Sequence, residues 1–292
     1  MLWFGRKPAE AGNAVRDLIQ PAKMAVELDR KICSRKLAQL QEEIAAQAQS
    51  AESTDDRDPG LAPFVESLSR KHELFERVLA ETALDALDDA AFAALLETVF
   101  TARRRLPPAL VGFEHDRLLS AIRDLLYGAG PLVERMQAFV DALPADSGKA
   151  RRAAWDLGAE MLHFRDPERY PLMARWVWDL STMSGGLREF IRGNDTMRDI
   201  PLDARPETFE GARLQLAEFL AEEGFYRDVP YLVDLLLAKA YADYVQQMAK
   251  GVGVFAAELG ARNDPMEFVT KMLGIDPHRR RGQSRIRVPT VH

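Results

Sequence analysis

The sequence predicts an all-α protein, and three observations support this fold class. The chain holds 41 Ala and 36 Leu among its 292 residues, whereas Ile, Val and Thr, which favour strands, number only 34 together. Apolar residues recur at the helical spacing of three and four, and no stretch alternates strictly between apolar and polar residues. Two such helical patterns are Phe92, Leu95, Leu96, Val99, Phe100 and Leu118, Leu119, Ile122, Leu125, Leu126.

The first predicted element is an N-terminal helical arm, residues 1–50. Its helix runs from Ala22 to Gln49, with Pro21 at the start, where proline suits a helix. Four apolar residues along this helix are spaced four, three and four apart, as in a short coiled coil. This seam consists of Cys33, Leu37, Leu40 and Ile44.

A large helical domain follows the arm. Residues 51–62 are polar and lack an apolar period, which predicts a linker. For residues 63–274 we expect about ten helices joined by short loops. Capping residues mark several boundaries: Ser147 and Asp228 precede predicted helices, and Gly274 follows the last one.

The last predicted element is a basic tail, residues 275–292, which we expect to be disordered. It holds five arginines and one acid, Asp276, so its net charge is +4. Because the whole chain has a net charge of −6, the remainder of the chain carries −10. The five are Arg279, Arg280, Arg281, Arg285 and Arg287.

The composition excludes several classes of protein. With 47% apolar and 29% charged residues, the chain is neither wholly disordered nor collagen-like. No apolar run approaches the roughly 18–20 residues of a membrane span, and the first residues lack the apolar region of a signal peptide. Cys33 is the only cysteine, so no internal disulfide and no cysteine zinc cluster can form. The sequence therefore predicts a cytoplasmic protein.

Residues 155–192 form the most unusual segment, because they hold three of the four tryptophans. Such aromatic density predicts a packed centre; the alternatives are a pocket lined by Trp and Arg, and stacking on nucleic acid. A second helix is predicted to begin near Pro171. The candidate ligand-binding residues are Trp155, His163, Tyr170, Arg175, Trp176 and Trp178.

One string in this segment resembles a string known elsewhere. It reads Leu162-His163-Phe164, then Pro167, then Tyr170-Pro171-Leu172. It is similar to a helix–turn–helix string of various bacterial helical proteins, some of them defence-associated, and it covers about a dozen residues. The resemblance adds a bacterial nucleic-acid or defence component to the candidate functions.

Two motifs of the sequence could hold a bound group. Glu160 and His163 form a Glu-x-x-His pair, which is half of the ligand set of a helical di-iron site. The sequence has no second pair, so we expect a core or capping histidine, with no metal or other cofactor. The hydroxyls and glycines of 181–186 precede a predicted helix at 187–192 and could hold a phosphate, but an N-cap loop is favoured.

Basic clusters lie at 103–105, at the end of a predicted helix, and on the arm at Arg30, Lys31, Arg35 and Lys36. Together with the tail they could meet nucleic acid, although the acidic chain lacks the high isoelectric point of a dedicated nucleic-acid binder. Nucleic acid is therefore the less favoured partner.

These observations predict a non-enzymatic interaction or accessory protein that acts through helical surfaces. The expected interface is the arm, through its apolar seam and the aromatic residues Trp3 and Phe4, in self-association or with another protein. The alternative is that the protein's own body covers the seam. A helical enzyme or ligand-binding protein, with its pocket in 155–192, is the rival function.

Overall fold

The computed structural model describes residues 19–50, 60–252 and 265–276. Within these ranges the protein is all-α, as predicted, with nine α-helices and two short 3-10 helices at Leu84–Ala86 and Gly186–Phe190. The α-helices are α1 Arg30–Ser50, α2 Ala62–Val78, α3 Asp89–Glu97, α4 His115–Tyr127, α5 Leu132–Ala142, α6 Gly148–Arg165, α7 Pro206–Glu222, α8 Val229–Val252 and α9 Pro265–Leu273. None of these described helices is long and apolar enough to cross a membrane.

Several helix ends lie where the capping residues predict them. The Ser147 hydroxyl accepts a hydrogen bond from the backbone N–H of Ala150 (3.1 Å), so α6 has a side-chain N-cap. Gly274 follows α9 with φ +68°, a conformation that glycine adopts without steric cost. A Cβ atom at this position would lie 1.7 Å from the carbonyl oxygen of Thr98, so glycine is also required for the close approach of the chain.

The two long helices α6 and α8 organise the core. α8 packs against α1, α2, α7, α9 and the second 3-10 helix, whereas α6 packs against α2, α4 and α5. Both helices bury apolar side chains on more than one side, among them Leu157, Leu162, Leu235 and Leu236. Six of the seven remaining α-helices pack against α6 or α8, and α3 packs against α2.

The arm helix is shorter than predicted. Residues 19–29 are not helical, and α1 begins at Arg30 rather than at Ala22. This stretch, which we call the strap, lies along α7: Ala22 N–H donates to the Glu207 carbonyl (2.8 Å) and Leu28 N–H to the Gln215 side chain (2.9 Å). Tertiary hydrogen bonds thus replace the helical ones that the sequence pattern favoured.

The body of the same chain covers the seam of α1. Cys33, Leu37, Leu40 and Ile44 are all buried in the single large core cluster, and α1 packs against α7, α8 and α9. This is the second of the two alternatives for the seam, and it gives the coiled-coil hypothesis no support. The predicted interface residues Trp3 and Phe4 lie outside the described residues, as do 51–59 of the predicted linker and the five tail arginines.

Charged side chains reinforce the contact between α1 and α8. Lys36 pairs with Asp243 (2.5 Å), and Lys239, which is almost fully buried, pairs with Glu43 (2.7 Å). Burial and the neighbouring Asp243 raise the pKa of Glu189, while Lys36 acts in the opposite direction. The ion pairs Lys36–Asp243 and Glu43–Lys239 therefore join α1 to α8, in addition to the apolar seam.

Two further predictions about helices are wrong. The arginines at 103–105 lie in a series of turns after α3, which ends at Glu97, so they do not end a helix. No helix begins near Pro171, because the chain runs through turns from 171 to 185 before the short 3-10 helix. Close packing accounts for this path: a Cβ at Gly186 would lie 2.4 Å from the Leu237 carbonyl oxygen of α8.

Candidate functional site

Three of the six predicted ligand-binding residues line one open cleft of about 420 Å³. These are Trp155, Arg175 and Trp178. Arg151 and Arg152 line the same cleft, and Leu180 lies in its lining with 42% of its surface exposed. We call this site the arginine cleft, defined by Arg151, Arg152, Trp155, Arg175, Trp178 and Leu180.

The other three predicted residues lie in the core. Tyr170, Trp176 and His163 are all buried, and His163 borders a cavity of about 10 Å³, which has room for at most one water molecule. The aromatic residues of this segment therefore lie in two different environments. Some form the packed centre that the sequence favoured, and others line a cleft, as the alternative hypothesis of a pocket lined by Trp and Arg expected.

The first wall of the arginine cleft is the N-terminal half of α6. Residues three and four apart on a helix share a face, so Arg151, Arg152 and Trp155 project toward the same side. The first turn of α6 has no acidic residue and contains Lys149 and Arg151. Cations at this end oppose the helix dipole, which favours anions there. The sequence thus places positive charge where helix stability disfavours it.

The opposite wall is the segment 173–181, which hydrogen bonds attach to α6. The Trp155 indole N–H donates to the carbonyl of Met173 (3.1 Å). The backbone N–H of Arg175 donates to Oδ1 of Asp156 (2.8 Å). The Trp178 indole donates to the carbonyl of Asp203 (3.1 Å), which fixes the far side of this wall.

The cleft is positively charged. Three arginines and one carboxylate, Asp179, line it. Arg175 pairs with Asp179, and Arg151 pairs with Asp141 of α5, which lowers the pKa of Asp141. Arg152 is exposed and pairs with no carboxylate of the described chain. One guanidinium is therefore free to meet a ligand, and two more lie beside it.

The predicted Glu160–His163 pair divides between two partners. Glu160 forms a buried ion pair with Lys71 of α2 (2.6 Å), and both side chains are at most 3% exposed. The Lys71 ammonium also donates to the carbonyls of Leu273 (2.8 Å) and Thr98 (3.2 Å), at the C-terminal ends of α9 and α3. This cation thus neutralises a carboxylate and caps two helices.

His163 contacts two acceptors. Its Nδ1 lies 2.8 Å from the carbonyl oxygen of Tyr170, and its Nε2 lies 2.8 Å from Oδ2 of Asp234. Asp234 raises the pKa of His163 against the effect of burial, which acts in the opposite direction. An imidazolium with two N–H groups satisfies both acceptors. His163 is thus the core histidine that the sequence favoured.

Burial raises the pKa of both acids of α6, Glu160 and Asp156. It raises the pKa of Glu160 to about 7, although Lys71 acts in the opposite direction. It raises the pKa of Asp156 to about 6, against the backbone N–H of Arg175 and the hydroxyl of Thr101. The sequence identified Glu160 but gave no sign of Asp156, because a single acid on a helix carries no pattern.

The remaining candidate motifs have structural partners. No group of three or more His, Cys, Asp or Glu side chains within the described ranges could hold a metal ion. In the loop 181–186, the Ser181 hydroxyl donates to Oδ1 of Asp179 (2.6 Å), and Gly186 packs against α8. On α1, Arg30 pairs with Glu222 of α7 (3.1 Å).

No protein-family model, curated protein or solved structure matches the chain. The geometry and charge of the arginine cleft therefore provide the basis for assigning a function. Its tryptophans and arginines are residue types that dominate binding energy at protein interfaces.

Proposed function

We propose that this is a cytoplasmic, non-catalytic interaction protein that binds an acidic segment of a partner protein in the arginine cleft. The observation that carries the proposal is the convergence of Arg151, Arg152 and Arg175 on one cleft that also exposes Trp155 and Leu180. The single cysteine, Cys33, is a free thiol, which supports the cytoplasm as the compartment.

The charge of the arginine cleft favours an acidic ligand. The chain as a whole is negative, with a net charge of −6, whereas the cleft lining holds three arginines and one aspartate. A positive cleft on a negative surface attracts anions locally and repels them elsewhere, so it selects the orientation of the partner. Guanidinium groups bind carboxylates through two parallel hydrogen bonds, which adds geometric specificity.

The shape of the cleft supports a protein segment rather than a small molecule. The cleft is open, and Leu180 at its edge is 42% exposed. An apolar side chain beside charged ones suits a peptide that alternates acidic and apolar residues. A small anionic molecule is the competing ligand, and the experiment below separates the two.

The buried acids and histidine support binding over catalysis. Glu160, His163 and Asp234 have shifted or paired charges, which is common in active sites. However, each is at most 3% exposed and satisfied by a protein partner. The cavity beside His163 has room for one water molecule only. A ligand therefore has better access at the arginine cleft, which is open and has a volume of about 420 Å³.

The test uses a peptide probe of defined chemistry. The probe is a rhodamine-labelled dodecapeptide of alternating aspartate and leucine, and its binding to the full chain is followed by fluorescence anisotropy. We expect Arg152→Glu to weaken binding about tenfold or more, because it reverses a charge that faces the ligand. Arg104→Glu is the matched control, since Arg104 is also exposed but does not line the cleft.

Competition identifies the ligand class. Unlabelled peptide should displace the probe, whereas free glutamate and a single-stranded oligonucleotide of equal charge should not. Equal loss of binding in the Arg152→Glu and Arg104→Glu proteins would show that the attraction is nonspecific. Displacement by free glutamate alone would favour a small-molecule site, and displacement by the oligonucleotide would favour nucleic acid.

A further inference from the structure

Asp156 lies directly behind the arginine cleft. It follows Trp155 on α6, its side chain is buried, and its Oδ1 accepts the backbone N–H of Arg175 at 2.8 Å. Trp155 itself holds Met173 through its indole N–H (3.1 Å). Two consecutive residues of α6 therefore attach the wall that carries Arg175. The bond from Asp156 is to the backbone, so it fixes where the arginine side chain begins.

The charge of Asp156 is incompletely balanced. Arg175 is the cation that faces it from the cleft wall, and this guanidinium already pairs with Asp179. Glu160 lies one turn further along α6, and Tyr241 faces Asp156 from α8. Burial is the dominant influence and raises the pKa of Asp156 to about 6, with Asp179 acting in the same direction. This carboxyl therefore changes charge within the physiological range.

We propose that Asp156 is a positioning residue whose negative charge weakens the binding of acidic ligands and whose protonation strengthens it. This inference rests on the proposed function. The ionised carboxylate lies behind Arg175 and competes with a ligand for the positive potential of the guanidinium. The protonated carboxyl keeps an oxygen that accepts the Arg175 N–H, so the wall stays attached in both states.

The expected sign follows from this geometry. With a pKa raised to about 6, Asp156 carries less negative charge at pH 5.5 than at pH 7.5. Affinity for an acidic peptide should therefore rise as the pH falls between these values. The peptide's own aspartates ionise near pH 4 and stay charged across this range. No histidine is among the described residues that line the cleft.

The test measures binding of the rhodamine-labelled Asp-Leu peptide to the full chain at pH 5.5, 6.5 and 7.5. For the unmodified protein we expect affinity about fivefold higher at pH 5.5 than at pH 7.5. Asp156→Asn removes the charge and keeps the accepting oxygen. Its affinity at pH 7.5 should match that of the unmodified protein at pH 5.5 and change little with pH. Asp116→Asn, at an exposed position of α4, should retain the original pH profile.

Each outcome decides the inference. Equal pH profiles for the unmodified and Asp156→Asn proteins would overturn it, as would an affinity that falls with acidification. If Asp156→Asn does not fold, a flat profile for the unmodified protein overturns it as well. Failure of the proposed function is distinguished by Arg152→Glu: when that variant binds as well as the unmodified protein, the cleft is not the binding site. When only Arg152→Glu behaves as expected, the cleft stands and the role of Asp156 fails.

Discussion

The two ends of α6 use charge in opposite ways. At the N-terminal end, Arg151 and Arg152 lie at an open cleft, and Arg152 has no carboxylate partner in the described chain. At the C-terminal end, Glu160 and His163 are buried, and each contacts a charged partner within 2.8 Å. The difference lies in the partners: Arg152 at the open end has no carboxylate partner in the described chain, whereas the charges of Glu160 and His163 are paired within the core.

The largest expected effect comes from removing the ion pair at the buried C-terminal end of α6. Lys71→Ala should lower the free energy of unfolding by about 3–5 kcal/mol, because it leaves Glu160 buried without its cation and two helix ends uncapped. Urea denaturation measures the change. The apolar double variant Lys71→Met, Glu160→Leu should recover most of the loss. A loss below about 1 kcal/mol, like that expected for the exposed Arg70–Glu66 pair, would show that the pair is not committed to the fold.

Trp178 sharpens the comparison, because it lines the cleft and yet is buried. Trp178→Ala should cost about 3–5 kcal/mol of stability through lost burial and a cavity. Trp155 is only half-buried, so Trp155→Ala should cost less and mainly weaken binding of the acidic peptide. Thermal melts and peptide titrations of both variants test this division. Equal stability losses would place Trp155 in the core as well.

The pH dependence of stability reports on all three shifted groups of α6. Because the native pKa values of Glu160 (about 7) and Asp156 (about 6) lie above their ordinary values of 4.5 and 3.8, the folded state holds protons that the unfolded state has released. Each therefore lowers stability as the pH rises to its native pKa. The raised pKa of His163 has the same sign, since its stabilisation is lost as the pH rises through that pKa.

The free energy of unfolding should thus fall between about pH 4.5 and pH 7. Urea denaturation at pH 4.5, 6 and 7.5 measures this slope. Asp156→Asn should make the slope shallower, mainly below its native pKa. Stability that rises steadily over this range would contradict the raised pKa values of these two buried acids.

The smallest expected effect concerns the open end of α6. Arg152→Glu places a negative charge near the N-terminus of the helix, where the dipole favours it, and should raise stability by about 0.3–1 kcal/mol. The same variant should lose peptide binding. A differential thermal melt against Arg104→Glu, which lies outside any helix, resolves the gain. A clear loss of stability would mean that Arg152 supports the fold.

Local signals were sufficient to predict the fold class and many helix ends. Ser147 and Gly274 act through residues within four positions, so their roles are visible in the sequence. The start of α1 and the absence of a helix near Pro171 were not predictable in this way. Both depend on contacts with α7 and α8, which are far away in the sequence.

The candidate site was predicted in part. Trp155, Arg175 and Trp178 were among the six proposed residues, but His163, Tyr170 and Trp176 lie in the core. Arg151 and Arg152 were missed, although cations near the N-terminus of an amphipathic helix are a readable signal against the helix dipole.

The partners of the buried groups had no such signal. Lys71 and Glu160 are 89 residues apart, and His163 and Asp234 are 71 apart. Only folding brings these side chains together, so no spacing along the chain could have revealed either pair.

The strap and α1 are synthesised long before the helices that they contact, which has a consequence for biosynthesis. Leu28 binds Gln215, which is synthesised 187 residues later. At roughly 5–20 residues per second, the ribosome needs on the order of 10–40 seconds to complete that distance. During this interval the seam of Cys33, Leu37, Leu40 and Ile44 has no α7 or α8 to cover it. The nascent chain therefore exposes apolar residues of α1 early, and a chaperone that holds such segments should bind them until α7, α8 and α9 have emerged.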